Sequence, residues 1–160
     1  MKSKLLMSAF LALIVVLLLP LATPRRVSAS ATTRAVLAAD GPEVVEDSMH
    51  EFMEYVFQPT YRRLKVTMAS APADNAGWKA MKSDSLILAE SCNLLFDRAP
   101  EENATDWARH AVASRTAGSN LYQAARTKDF TAAAAAYNQM LENCNACHRQ
   151  FENGKHILTP

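Results

Sequence analysis

An all-α chain folded as an antiparallel four-helix bundle is predicted by three features of the sequence. Apolar residues recur at three- and four-residue intervals in four stretches of about 20–26 residues, the spacing of one helical face. Beyond Pro42 no stretch alternates apolar and polar residues as a half-buried strand would. Short turns marked by proline, glycine or aspartate separate the stretches, and short connections make neighbouring helices antiparallel.

The first helix is expected from about Glu43 to Met68. Glu43, Glu46 and Asp47 stand at its start, where negative charge complements the helix dipole. Val45, Met49, Phe52 and Val56 form one apolar stripe, which Leu64 and Met68 resume. Pro59 lacks a backbone donor and clashes with the preceding turn, so a kink near Val56 or a break is expected. Ala71-Pro72-Ala73-Asp74 is a turn.

The second helix runs from about Asn75 to Asp97, with Trp78, Met81, Ser85, Leu88, Cys92 and Leu95 facing inward. Lys79, Lys82, Asp84 and Glu90 fall on or near the other side, and Arg98-Ala99-Pro100 ends the helix. The third starts near Pro100 or Thr105 and ends about Thr127. Its inward set is Trp107, Ala111, Ser114, Gly118, Leu121 and Ala125, small in the middle. Such a face permits close helix approach or leaves room for a flat prosthetic group. Gly118 sacrifices about 1 kcal/mol of helix propensity against alanine.

Asp129 is a good N-cap for the fourth helix, and the alanine run after it favours helix strongly. Phe130, Ala134, Tyr137, Leu141, Cys144, His148 and Phe151 form its inner face. Asn153-Gly154 marks the stop, and Lys155 to Pro160 is a short tail. At 1.5 Å per residue the four rods are roughly 30–39 Å long.

Cys144-Asn145-Ala146-Cys147-His148 carries the chemistry. It reads as C-x-x-C-H, the attachment signal of a c-type haem: each thiol adds across a vinyl group of one porphyrin, and the adjacent imidazole reaches the iron. Helical geometry puts Cys144 and His148 on one face, with Cys147 about 60° around the axis from Cys144. A redox dithiol would be expected to open a helix after a strand, in a βαβ setting that this chain lacks. A zinc site would need more donors at suitable spacing, and Cys92 is about fifty residues away. Leu88, Ala89, Leu94, Leu95 and Phe96 around Cys92 make it a buried small hydrophobe.

Residues 1–29 read as a secretory signal peptide. Lys2 and Lys4 precede an uncharged run from Leu5 to Leu19, and Val27-Ser28-Ala29 offers a small-residue cleavage site. Retained instead, Leu5 to Ala22 would sit at the lower edge of a membrane span, so membrane association requires an uncleaved segment. Residues 30–41 are a Ser/Thr/Ala-rich flexible leader, and residues 42–160 form one domain. Covalent haem attachment needs reduced cysteines outside the bacterial cytoplasm, and an export signal places the chain in the periplasm. The formal charge of +1 becomes −3 once Lys2, Lys4, Arg25 and Arg26 are removed. With no basic patch interleaved with aromatics, nucleic acid is not expected as a partner.

Four helical segments, an export signal and C-x-x-C-H near the end of the last helix, with Phe151 three residues on, resemble cytochrome c′ and the wider class II c-type cytochromes. The resemblance covers roughly Pro42 to Lys155. It implies one covalent haem c in a four-helix bundle, with Cys144 and Cys147 as thioether anchors and His148 as the fifth iron ligand. The first helix would cover the distal face. In the low-spin branch of the family a methionine from that helix is the sixth ligand, and Met49 best fits the position. Met53, His50 or no protein ligand are the alternatives. Phe52, Val56 and Phe57 would wall the distal pocket, and Tyr137 and Leu141 the proximal side.

This chain departs from the family twice. Val45 stands where an arginine often meets a haem propionate, and Glu152 follows Phe151 where a basic residue is common. Arg62, Arg63, Arg149 and Lys155 are the alternative propionate partners. His110 reads as a boundary residue, His156 as part of the tail, and Trp78 and Trp107 as core anchors.

Function follows the cofactor. The leading expectation is a non-enzymatic periplasmic electron carrier that meets redox partner proteins through an exposed haem edge. The alternatives are nitric oxide or carbon monoxide binding at an open or displaceable distal position, and a haem-stabilised sensory or interaction domain. No nucleophile–base pair or paired-carboxylate site is legible, and a homodimer is implied by the resemblance alone.

Overall fold

The computed structural model describes residues 43–160, so the expected signal peptide (1–29), the expected leader (30–41) and Pro42 lie outside the described residues. Within them the chain is all-α, without a strand. Among the described residues no helix is long and apolar enough to cross a membrane.

The first rod begins later than expected. Glu43 to Asp47 precede the helix, Val45 is fully exposed, and α1 (Met49–Phe52) starts behind Ser48. The Ser48 hydroxyl accepts from the Glu51 amide at 3.3 Å, satisfying one of the donors that a helix start leaves unpaired. Glu43, Glu46 and Asp47, expected in the first turn, therefore all lie ahead of it. A π-helical turn over Met53–Phe57 follows, and the rod continues as α2 (Gln58–Met68) with Pro59 in its first turn. The disruption expected near Val56 thus takes the form of one wide turn, after which the proline sits where a missing amide is tolerated.

Helix α3 (Asn75–Ser91) is capped by Asp74, whose carboxylate accepts from the Gly77 amide at 2.8 Å. It tightens into a 3₁₀ segment over Cys92–Arg98. Helix α4 (Ala104–Thr127) and α5 (Phe130–Phe151) are joined by Lys128 and Asp129 alone. Lys128 is left-handed, and Asp129 caps α5 by accepting from the Ala132 amide at 2.9 Å. So short a connection reverses the chain, and α4–α5 contacts follow an antiparallel register: the Asn143 amide donates to the Ala113 carbonyl, and Gln150 bonds both His110 and Asp106. Helices α3 and α4 are antiparallel too, with Arg115 on Asn93 and Trp107 on the Leu95 carbonyl.

Every inward residue expected of the second and third helices is buried. Gly118 shows why its face is small: a β-carbon there would stand 3.1–3.2 Å from Ala89 Cβ and Cα, so the two helices nearly touch. Gly118→Val forces them apart and should cost about 1–3 kcal/mol, read as a lower denaturant midpoint at unchanged slope.

Two apolar clusters make up the interior. Leu64, Trp78, Met81, Leu121, Tyr137 and Leu141 belong to one; Phe52, Cys92, Leu95, Trp107 and Ala111 form the other. Two polar features depart from the sequence reading. Asp84, expected on the outer side, is buried and paired with Arg63, which reaches it through Nη2 at 2.7 Å and Nε at 3.0 Å. Tyr137 is buried with its hydroxyl unpartnered, and burial pushes its pKa above the ordinary range.

Candidate functional site

Helix α5 delivers the attachment motif on its inner face because its final turns repeat the spacing that buries Tyr137 and Leu141. Cys144, Cys147 and His148 all lie on the wall of one mostly apolar cavity of about 350 Å³. That volume is within the range of small-molecule and cofactor sites. Helix α4 contributes Trp107, His110, Ala111 and Ser114, and the 3₁₀ segment contributes Cys92 and Leu95. The small middle of α4 thus has two uses: Gly118 admits α3, while Ala111 and Ser114 leave space beside the thiols.

The first rod supplies a further wall, and the π turn decides which residues form it. In a straight α-helix the stripe would be Met49, Phe52 and Val56. The wide turn realigns the four-residue series, so Met49, Met53 and Phe57 line the cavity. Phe52 and Val56, expected as pocket walls, are not among the lining residues. Phe52 is buried in the adjacent cluster, edge-on to Phe57 at 5.6 Å between ring centroids and under the Arg98 guanidinium at 3.9 Å. Val56 packs against that same cluster. Both support the wall from behind.

His50 also borders the cavity but is exposed, its Nε2 3.3 Å from a Glu54 carboxylate oxygen. Of the cations considered for propionates, Arg62 lines the cavity, whereas Arg63 is committed to Asp84. Arg149 and Lys155 are exposed and lie outside the lining. Trp107 forms an edge contact with Phe151, with centroids 5.0 Å apart, and Trp78 is a core residue away from the cavity. Leu141 lines the cavity; Tyr137 does not.

The His148 imidazole has a partner that the sequence did not disclose. His148 Nδ1 lies 2.9 Å from the His156 carbonyl oxygen. A carbonyl only accepts, so Nδ1 carries the proton, and Nε2 of the neutral ring keeps its lone pair. Burial lowers the His148 pKa, with the His156 carbonyl pulling the other way, and favours the neutral form that binds metals. The tail holding that carbonyl lies against the cavity too, through His156, Ile157 and Leu158.

All three cysteines are free thiols. Burial raises the pKa of Cys147 to about 11 and that of Cys92 to about 12, and it raises that of Cys144 as well. A working redox dithiol needs the opposite shift. Among the described residues, the one group of three His, Cys, Asp or Glu donors lying within 4.8 Å of one another is His50, Glu51 and Glu54, on the surface of the first rod. Cys92, Cys144, Cys147 and His148 do not converge as a zinc site requires.

No family model matches this chain, and no curated protein matches it either.

Proposed function

We propose that this protein is a periplasmic monohaem c-type cytochrome that carries single electrons between redox partner proteins, an antiparallel four-helix bundle of the class II kind. One observation carries the reading: two free thiols and an imidazole with an available Nε2 share the wall of one apolar cavity, and two methionines line it from another helix.

Cys144 and Cys147 would each hold one edge of haem c. Each thiol would add across one vinyl group, its sulfur taking one carbon and its hydrogen the other, a redox-neutral attachment. His148 Nε2 and the Met49 sulfur would hold the iron, and the soft thioether would favour ferrous over ferric iron. Bound there, haem c supplies a reversible one-electron couple. Leu88, Leu95, Trp107 and Leu141 exclude water from the cavity and limit the rearrangement that accompanies a change of charge. Arg62 is the propionate partner best placed by its position on the lining. The sequence signals for export support a periplasmic location, where partner encounters would be weak and short-lived.

Absorption spectra of ferric and ferrous protein, matured in a host competent for haem attachment, test this function. A low-spin ferrous spectrum with slow carbon monoxide binding is expected. A high-spin ferrous spectrum with fast binding would replace the carrier by a gas-binding protein.

A further inference from the structure

The tail beyond α5 is tied down at several points. Asn153, Gly154 and His156 all have positive φ, at 51°, 73° and 57°, and turn the chain back towards the helix it has just left. The Gly154 amide donates to the His148 carbonyl at 3.0 Å, the start of that reversal. Two residues past His156, Leu158 is gripped on both sides of its peptide by Asn145. The Asn145 side-chain oxygen accepts from the Leu158 amide at 2.7 Å, and its nitrogen donates to the Leu158 carbonyl at 2.9 Å. Thr159 is then fastened to α2: Tyr61 donates its hydroxyl to the Thr159 carbonyl at 2.6 Å, and Lys65 reaches the same carbonyl at 3.0 Å.

His156 is a β-carbon-bearing residue in the left-handed region, a conformation that persists when its surroundings over-determine it. What this conformation accomplishes is visible at its carbonyl, which accepts from His148 Nδ1. Asn145 is itself the first spacer residue of the attachment motif. The same turn of α5 therefore carries an anchoring thiol, the proximal imidazole and the hook that holds the imidazole's partner.

We infer that residues 152–160 are a proximal strap, and that Asn145 is a positioning residue which, by gripping Leu158, holds the His156 carbonyl against His148. The inference rests on the haem reading above. The contact sets the ring's orientation and tautomer, and it pushes electron density onto Nε2 so that the imidazole becomes a stronger donor. A stronger donor stabilises ferric iron, so the strap lowers the reduction potential.

The test compares three haem-loaded proteins: wild type, Asn145→Ala, and a chain ending at Lys155. Whole-protein mass first reports whether haem is attached in each. The potential is then measured, along with solvent exchange of the His148 Nδ1 proton by NMR in the diamagnetic ferrous state. The shortened chain should favour ferrous iron by about tenfold more than wild type, a rise of about 59 mV for one electron, and its Nδ1 proton should exchange rapidly. Asn145→Ala should move both readouts the same way by a smaller amount. Haem-loaded variants with wild-type potential and a still-protected Nδ1 proton would overturn the strap and leave the carrier reading standing. Wild type without haem would overturn both.

Discussion

Serine at both Cys144 and Cys147 should abolish covalent haem. The exported double variant has the mass of bare polypeptide, and acidified organic solvent strips any haem that His148 alone retains. Each single variant keeps one thioether and one haem adduct. The effect on the fold is expected to be as large as the effect on chemistry. An empty cavity costs about 24 cal/mol per Å³ in a core that cannot collapse. For about 350 Å³ the upper bound is on the order of 8 kcal/mol, reached if water does not enter. Domains of this size have a total stability of about 5–15 kcal/mol, so the double variant should melt far below wild type. Identical masses for wild type and double variant would remove the haem assignment.

Met49→Ala should convert a six-coordinate, low-spin ferrous protein into a five-coordinate, high-spin one. If the methionine-dissociated state is about 0.1–10% populated in wild type, removing the competing ligand raises carbon monoxide affinity about 10- to 1000-fold. The potential should fall, because the lost thioether favoured the ferrous state. Met53 lies one turn further along the same cavity wall and supplies the control. A high-spin Met53→Ala beside a low-spin Met49→Ala would move the assignment by four residues.

The π turn explains why the distal side was only half legible. Pro59 announced a disruption, but a proline can be absorbed by a kink, a break or a wide turn, and each sends a different stripe inward. The choice depends on how α1 and α2 pack, which a local pattern does not contain. The second and third helices had no such ambiguity: the burial of Ser85, Ser114 and Gly118 follows the period rather than the polarity of these residues. In the fourth, Asp129 caps where a cap was expected and Tyr137 and Leu141 are buried, but Ala133 and Met140 join them where Ala134 was expected.

Asp84 shows the reverse error. As a carboxylate it was placed outward on composition, but Arg63 from the facing helix neutralises it in the interior. Neither residue announces the other across the turn at Ala71–Asp74. The strap was illegible for the same reason. Asn153-Gly154 was visible as a stop, yet its anchors join residues 13 and 98 positions apart. Only the folded backbone brings Tyr61 to Thr159, and only then does the tail acquire a place beside the His148 imidazole.

Cys92 borders the same cavity as Cys144 and Cys147, so three sulfurs could in principle cross-link in three ways, any of which would consume a thiol that the proposed haem attachment needs. Its hydrogen donates to the Leu88 carbonyl at 3.2 Å, and burial pushes its pKa up to about 12, which disfavours the thiolate at neutral pH. Disulfide exchange proceeds through the ionised sulfur. Burial thus holds the spare sulfur in its thiol form, the poorer nucleophile for exchange with a neighbouring disulfide.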